Sequence, residues 1–275
     1  LERELRSNLA LRVEAGDNAD EFKVSGRGLL HLGILLENMR REGYELTVGR
    51  PQVIEKTIDG VKCEPIELLT VNVDEPHVGA AMELLGLRGG EVQKIEQRVD
   101  RMHIECEIPA RGLIGLRSRM LTATAGEAVI YHCFQKYAPI RTTMYRRANG
   151  VLIATAPGNA TTHSMLSISQ RGMLFVNPQE VIYTGQIVGE NSRDNDLDVN
   201  ITKSKAFSNV RESNKEATVV LKASREITLE VALEYIQDDE LVEITPDDIR
   251  LRKRELSETN RKQVARGKQP AEQKQ

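Results

Sequence analysis

The spacing of apolar residues in the first 50 positions changes between strand and helix periods in a definite order. Residues 2–8 predict the end of a helix, and residues 9–13 and 22–24 alternate apolar and polar side chains, as half-buried strands do. A helix with an apolar stripe follows, formed by Leu29, Leu32, Leu36 and Met39. Residues 44–48 alternate again. The order helix, strand, strand, helix, strand indicates a split βαβ unit without its first strand.

The same order recurs between residues 60 and 137, now preceded by a strand. Strands are predicted at 66–73, 92–99, 102–108 and 128–134, with helices after Glu75-Pro76 and over 113–121. Each unit should form an antiparallel sheet with helices on one face. The expected fold class is α+β, with a truncated ferredoxin-like (βαββαβ) domain over residues 1–59 and a complete one over residues 60–137.

The pattern after residue 137 is dominated by short strands and turns. One helix is well marked, because Thr228 is a good N-cap and apolar residues follow it at helical spacing. We predict a β-rich C-terminal domain with one or two helices over residues 138–258. Residues 259–275 are polar and basic, and they predict a disordered tail.

Several common chemistries have no sequence support. The three cysteines, Cys63, Cys106 and Cys133, are far apart, which argues against a disulfide framework or a zinc ribbon and favours a reducing cytoplasm. No P-loop and no G-x-S-x-G motif occurs, and the histidines form no metal-binding spacing. The apolar runs are too short for a membrane span. We therefore expect no catalytic site, metal or cofactor in this chain, and no membrane partner.

The net charge of −3 conceals an uneven distribution. Residues 200–225 hold 6 basic and 2 acidic side chains, residues 226–250 hold 1 and 9, and residues 251–275 hold 8 and 3. Basic segments are candidates for phosphate contact or are solvated loops, and composition leaves both open for 200–225. Aromatic residues are only 4% of the chain, so Arg and Lys rather than base stacking would carry any RNA binding.

Six separated motifs resemble one family of translational GTPases. Residues 22–32, FKVSGRGLLHL, resemble the turn and helix in domain III of proteins related to elongation factor G, and residues 37–46 resemble its continuation in the BipA/TypA family. Glu64-Pro65 is similar to the start of domain V, and residues 109–115, PARGLIG, are similar to a BipA/TypA motif within that domain. Residues 192–200 and 239–254 resemble two parts of the C-terminal domain specific to that family. The likeness covers nearly the whole chain in the right order.

The resemblance implies a ribosome-binding C-terminal fragment comprising domain III, domain V and the family-specific domain. GTP or GDP and Mg²⁺ would bind in a G domain outside this chain. The expected partners are large-subunit rRNA and A-site tRNA, with no DNA. The expected role is ribosome biogenesis or translation control under cold or stress, in the cytoplasm.

The residues expected to contact RNA are cations on loops or strand ends of the third predicted domain, around the second helix of the second and at a helix start in the first: Arg193, Lys203, Lys205, Arg211 and Lys215; Arg111, Arg117 and Arg119; and Arg27. Each has a plainer alternative. The third-domain cations could serve only solubility, Arg117 or Arg119 could pair with Glu127, and Arg27 could belong to a tight structural turn.

Two other functions remain open from the sequence. Tandem βαββαβ units can act as a small-molecule regulatory module with an appended β domain, which requires a defined pocket between the units. A hydrolase in the third domain requires converging Ser, His and acidic side chains.

Overall fold

The computed structural model describes residues 1–16, 18, 20–98, 100–141, 147–204, 221 and 223–266. The chain divides into two compact units. Unit 1 combines Leu1–Arg50 with Arg147–Gln275, and unit 2 is Pro51–Arg146. Mixed helices and sheets confirm the α+β class predicted from the sequence. The predicted domain boundaries remain predictions.

In the first segment of unit 1, the residues that the structure describes form two helices and three strands: α1 (Glu2–Ser7), β1 (Arg12–Ala15), β2 (Phe22–Ser25), α2 (Leu29–Arg41) and β3 (Leu46–Val48). The strands β1 and β2 form an antiparallel hairpin. The helix α2 buries Leu35 and packs Leu29 and Leu36 against a core of unit 1, as its apolar spacing predicts. Arg40 and Arg41 in its last turn suit the negative end of the helix dipole.

The described residues of unit 2 form five strands and three α-helices: β4 (Lys56–Ile58), β5 (Val61–Val73), α3 (Val78–Leu87), β6 (Glu91–Arg98), β7 (Arg101–Pro109), α4 (Ala110–Leu113), α5 (Leu116–Ala123) and β8 (Val129–Pro139). All strand pairs are antiparallel, with β5 between β8 and β7, and β6 beyond β7. This is the connectivity of a split βαβ unit. Its core comprises fully buried residues such as Leu69, Leu85 and Ile104.

The second segment of unit 1 contributes the remaining elements: β9 (Val151–Ala154), β10 (Gly158–Asn159), α6 (Thr162–Ile168), β11 (Gly172–Leu174), β12 (Val181–Ile182), β13 (Gln186–Asn191), β14 (Leu197–Val199), α7 (Leu229–Tyr235), β15 (Glu240–Ile244), β16 (Ile249–Lys253) and α8 (Glu258–Ala265). The main sheet has the order β14-β9-β13-β16-β15-β3, and β11 also pairs with β13.

The sheet of unit 1 has a hydrophobic core on each face. One core contains Val151 and Ile153 of β9 together with α7, and the other contains Leu152 and Ala154 of β9 together with α6. Neighbouring side chains of a strand point to opposite faces, so a strand buried on both faces reads as a continuous apolar run. This explains the run VLIA at 151–154, in which every residue is buried.

Two sequence-based expectations need correction. The strand β3 was expected to stay in the sheet of the first domain, but it pairs with β15, with Val48 opposite Val242. Its Leu46 and Val48 pack into the core around α7. This pairing is favourable because it removes apolar side chains from water. The start of the predicted disordered tail, 259–275, is the helix α8, which Arg261 anchors through hydrogen bonds to the backbone oxygens of Glu255 and Leu256. Residues 267–275 lie outside the described residues.

Candidate nucleic-acid interface

The loop between β13 and β14, Ser192–Asp196, holds Arg193 at the surface of unit 1, and we call it the arginine loop. The Gly150 amide donates a hydrogen bond to the Arg193 oxygen at 2.7 Å. The Asn191 side-chain amide donates to the Asn195 oxygen at 2.6 Å. The backbone is therefore fixed on both sides of Arg193. The Arg193 side chain is exposed and has no acceptor within the described parts of the chain.

Arg171 lies next to this loop and was not selected from the sequence. The Ser192 amide donates to the Arg171 oxygen at 2.8 Å, so the turn after α6 is joined to the arginine loop. Like Arg193, the Arg171 side chain is exposed and has no partner among the residues that the structure describes. The sequence carries only a weak signal for it, because Arg171 directly precedes a glycine, Gly172, a residue type that commonly follows the end of a helix.

Lys203 lies at the other end of α6. Its backbone oxygen accepts hydrogen bonds from the hydroxyls of Thr161 and Ser164, both at 2.6 Å. Thr161 also caps the helix by accepting from the Ser164 amide at 3.3 Å. A helix of this length spans about 10 Å, so Lys203 and Arg171 flank α6 at that order of separation. The other predicted cations of this region, Lys205, Arg211 and Lys215, lie outside the described residues.

A fourth cation, Arg225, is the last residue of the basic segment 200–225. The Arg225 amide donates to the Leu174 oxygen of β11 at 2.8 Å, and the Ser224 hydroxyl donates to the Asn177 side-chain oxygen at 2.6 Å. The Arg225 side chain is exposed. The two ends of the basic segment are thus attached close to α6 and β11. We define the set Arg171, Arg193, Lys203 and Arg225 as the cationic strip.

A buried ionic cluster contacts the arginine loop through Asp196. The Lys253 ammonium nitrogen contacts carboxylate oxygens of Asp196 and Asp239 at 2.7 Å and of Glu240 at 3.0 Å. Glu240 also accepts two hydrogen bonds from Arg147, at 2.9 and 3.0 Å. The side chains of Lys253, Glu240 and Arg147 are 3%, 0% and 5% exposed, so solvent contributes little to balancing their charges.

The cluster keeps its charges because each buried ion has partners. Burial alone would lower the pKa of Lys253, but Glu240, Asp196 and Asp239 outweigh it and raise that pKa. Burial likewise works against the charged form of Arg147, and Glu240 raises the pKa of its guanidinium. Arg147 also stacks over the Tyr235 ring, 4.3 Å from its centroid.

Arg111, one of the predicted RNA contacts, has an internal role in unit 2. Its guanidinium donates two hydrogen bonds, at 2.6 and 3.2 Å, to Glu64, a carboxylate that is only 1% exposed. It also donates to the Arg141 oxygen. A buried carboxylate needs a paired cation. Because Glu64 accounts for Arg111, we leave Arg111 out of the interface.

The other two predicted cations of unit 2, Arg117 and Arg119, lie exposed on α5. In the described part of the chain neither forms the alternative ion pair with Glu127, whose backbone oxygen instead accepts from Arg101 at 2.8 Å. They remain candidate phosphate contacts, separate from the cationic strip.

Arg27 belongs to a tight turn whose backbone is already bonded. Its amide donates to His31 Nδ1 at 3.1 Å, so that N–H is not free to bind an anion. A Cβ at Gly26 would lie 2.8 Å from the same His31 nitrogen, which explains the glycine. The Arg27 side chain is exposed and lines an open groove of about 490 Å³ beside α2. His31 thus holds the backbone of this turn, and contact of the Arg27 side chain with RNA stays a prediction.

Possible metal ligands and cysteines are found separately among the described residues. No group of three or more His, Cys, Asp or Glu side chains among them is arranged to hold a metal ion. The three cysteines are free thiols. Burial raises the pKa of the Cys106 thiol to about 11, which disfavours the nucleophilic thiolate. Of the helices in these parts of the chain, none is long and apolar enough to cross a membrane.

Comparison with known proteins agrees with this architecture. Residues 61–148, which include the split βαβ sheet of unit 2, match the family described as elongation factor G C-terminus. The class of protein is therefore that of factors related to elongation factor G. Residues 149–258, which carry the cationic strip and all of the buried cluster except Arg147, match the TypA/BipA C-terminal domain. The chain belongs to the TypA/BipA family, as its sequence motifs indicated.

Curated relatives are similar along nearly the whole chain. The large ribosomal subunit assembly factor BipA of Haemophilus influenzae is 47% identical over 268 residues, which are 97% of this chain and 44% of that protein. The protein of the same name from Synechocystis is 48% identical over 92% of this chain and 42% of its own length. That from Bacillus subtilis is 44% identical over 98% and 45%. This chain spans less than half the length of these relatives.

Proposed function

We propose that this chain is the ribosome-binding part of a BipA-type translational GTPase and acts in assembly of the large ribosomal subunit. The names of its relatives support the ribosomal partner. The observation that carries the contact surface is the cationic strip. Four exposed cations are attached to neighbouring backbone around α6 and β11, and none has an acceptor among the described residues. Arg and Lys side chains in such positions suit phosphate contact.

The strip differs from ordinary surface cations in the way it is held. The amide of Ser192, the neighbour of Arg193, donates a hydrogen bond to the Arg171 oxygen, and the Lys203 oxygen accepts from two hydroxyls at the start of α6. Fixed backbone lowers the entropy lost when a side chain engages RNA. We propose that the strip contacts the phosphate backbone of large-subunit rRNA, and that Lys205, Arg211 and Lys215 extend it.

Finer parts of the proposal rest on the family resemblance. They are a contact with A-site tRNA, a role under cold or stress, and a cytoplasmic location. GTP hydrolysis with Mg²⁺ is proposed for the longer protein, outside this chain. Its G domain would control when the ribosome is bound, and this part would supply contacts.

Sedimentation of the chain with purified large ribosomal subunits over a salt series tests the proposal. Arg171→Ala/Arg193→Ala should weaken binding about tenfold and reduce the slope of log affinity against log salt by about one per lost contact. The matched control is Arg3→Ala/Arg41→Ala. It removes two arginines of unit 1 that pair with Glu42 and Glu37 and have side chains 91% and 74% exposed.

The control should bind nearly as wild type. Equal weakening by both double variants would assign the effect to net charge and contradict the cationic strip. Lack of co-sedimentation by the unmodified chain at low salt would contradict ribosome binding by this part of the protein.

A further inference from the structure

The buried ionic cluster of unit 1 has a high cost in desolvation free energy, which suggests that it has a function besides stability. Removing Lys253, Glu240 and Arg147 from water carries a large desolvation penalty, and apolar residues of similar volume often stabilise a fold as well or better. The best-attested use of such buried charges is to specify one geometry. The contacts of this cluster identify the segment whose geometry it fixes.

Of the three carboxylates that contact Lys253 among the described residues, only Asp196 belongs to the loop that carries Arg193. One Asp196 oxygen lies 2.7 Å from the Lys253 nitrogen, and the other accepts the Val151 amide at 2.9 Å. Glu240 and Asp239 instead lie at the start of β15 and just before it. Asp196 thus connects the arginine loop to the buried cluster and to β9 with a single side chain.

The backbone of the loop has little freedom once this connection is made. A Cβ at Gly150 would meet the Asn195 oxygen at 2.1 Å, so the loop rests directly on the glycine backbone. The Gly150 amide also bonds the Arg193 oxygen. A displacement of Asp196 would therefore move the residues on either side of Arg193.

We propose that Lys253 and Asp196 are positioning residues that hold the Ser192–Asp196 loop so that Arg193 is presented to RNA phosphate. Neither residue touches RNA. This inference rests on the proposed function, because it assigns Arg193 as a contact. It adds that the affinity of the contact is set by a buried lysine at the end of β16.

The first test separates anchoring from binding. Asp196→Asn keeps an oxygen for the Val151 amide and removes the charge that faces Lys253. Asp239→Asn is the matched control, since it removes an ion pair of the same 2.7 Å length to the same nitrogen without touching the loop. Hydrogen exchange of the Ser192 and Gly150 amides should become about threefold faster or more in Asp196→Asn only. Equal rates in the two variants would overturn the anchoring.

The second test is a double-mutant cycle on binding of the 275-residue chain to purified large ribosomal subunits. Asp196→Asn should lower affinity about threefold or more in the parent chain and have no further effect when Arg193→Ala is present. Asp239→Asn should have no effect in either background. Additive effects of Asp196→Asn and Arg193→Ala would overturn the positioning role. Faster exchange in Asp196→Asn together with unchanged binding of Arg193→Ala would support the anchoring and overturn the Arg193 contact of the proposed function.

Discussion

Unit 1 contains two groups of Lys and Arg residues that differ in burial and in bonding, a difference that residue type alone does not show. Lys253 and Arg147 are buried and bonded to carboxylates, and they hold the fold together. Arg171 and Arg193 are exposed, and no described residue accepts from them. A guanidinium already bonded to a carboxylate must break that pair before it binds phosphate, whereas a free one exchanges only water. Free cations on a fixed backbone are therefore the better candidates for RNA contact.

Glu37 of α2 makes the stability of unit 1 depend on pH in the acid range. Its carboxylate accepts from Arg40 at 2.9 Å and from Arg41 at 2.8 Å, and these hydrogen bonds lower its pKa from 4.5 to about 2. A depressed pKa gives a stabilisation that is present above pH 4.5 and lost as pH falls toward 2. Glu37→Gln should lower the unfolding free energy by about 1 kcal/mol at pH 7 and by almost nothing at pH 2.

Urea denaturation at a series of pH values measures this difference. Glu45→Gln is the control, because Glu45 is exposed and has no partner in the described residues. A Glu37→Gln effect of the same size at pH 7 and pH 2 would mean that the ion pairs contribute nothing and that the loss is steric.

The sequence can name a candidate cation more easily than it can say whether that cation is free. Arg193 was selected because it lies on a predicted loop of the third domain, and the structure leaves its side chain exposed. Arg111 was selected on similar grounds, but its partner Glu64 is 47 residues away in the chain. No local pattern reports such a pair. Arg171 was overlooked because one basic residue after a helix carries a weak signal until Ser192 is seen beside it.

At the scale of secondary-structure elements, close backbone contacts place the arginine loop. Gly150 allows the loop to rest on the start of β9, where a methyl group would approach the Asn195 oxygen to 2.1 Å. Gly150→Ala should therefore destabilise unit 1 by about 1–3 kcal/mol and weaken ribosome binding with it. Thermal unfolding and sedimentation with large subunits measure the two effects.

Gly33→Ala is the matched control for this substitution. Gly33 lies inside α2, and a Cβ there would meet nothing within 4 Å. Alanine should stabilise the helix by about 0.5–1 kcal/mol and leave binding unchanged. Unaltered stability and binding in Gly150→Ala would mean that the loop can shift freely, and would count against its role in presenting Arg193.

Elements with a strong local period were predictable, and those defined by distant partners were not. The helices α2 and α7 follow from apolar spacing and, for α7, from the N-cap Thr228. The partner of β3 could not be inferred, because Val242 lies almost 200 residues further on. The helix α8 has a polar sequence and depends on Arg261 bonding to Glu255, a tertiary feature that composition does not report.

At the scale of the whole molecule, the order of the two units along the chain makes the stability of unit 1 depend on whether unit 2 is folded. The stability of unit 2 has no such dependence on unit 1. Unit 1 is assembled from two segments, Leu1–Arg50 and Arg147–Gln275, and unit 2 is the chain between them. The segments of unit 1 meet through the pairing of β3 with β15 and the ion pair of Arg50 with Asp238. When unit 2 unfolds, unit 1 must close a long flexible loop, at an entropic cost on the order of a few kcal/mol. Unfolding of unit 1 imposes no such cost on unit 2.

This asymmetry predicts different responses to equivalent core substitutions. Leu233 of α7 and Leu69 of β5 are 2% and 0% exposed in separate cores, so replacing either by alanine should cost its own unit about 2–5 kcal/mol. Leu233→Ala should lower only the transition of unit 1 in scanning calorimetry. Leu69→Ala should lower the transition of unit 2 and, once unit 2 melts first, that of unit 1 as well. One transition shifted equally by both variants would mean that the units unfold together and that chain order has no thermodynamic consequence.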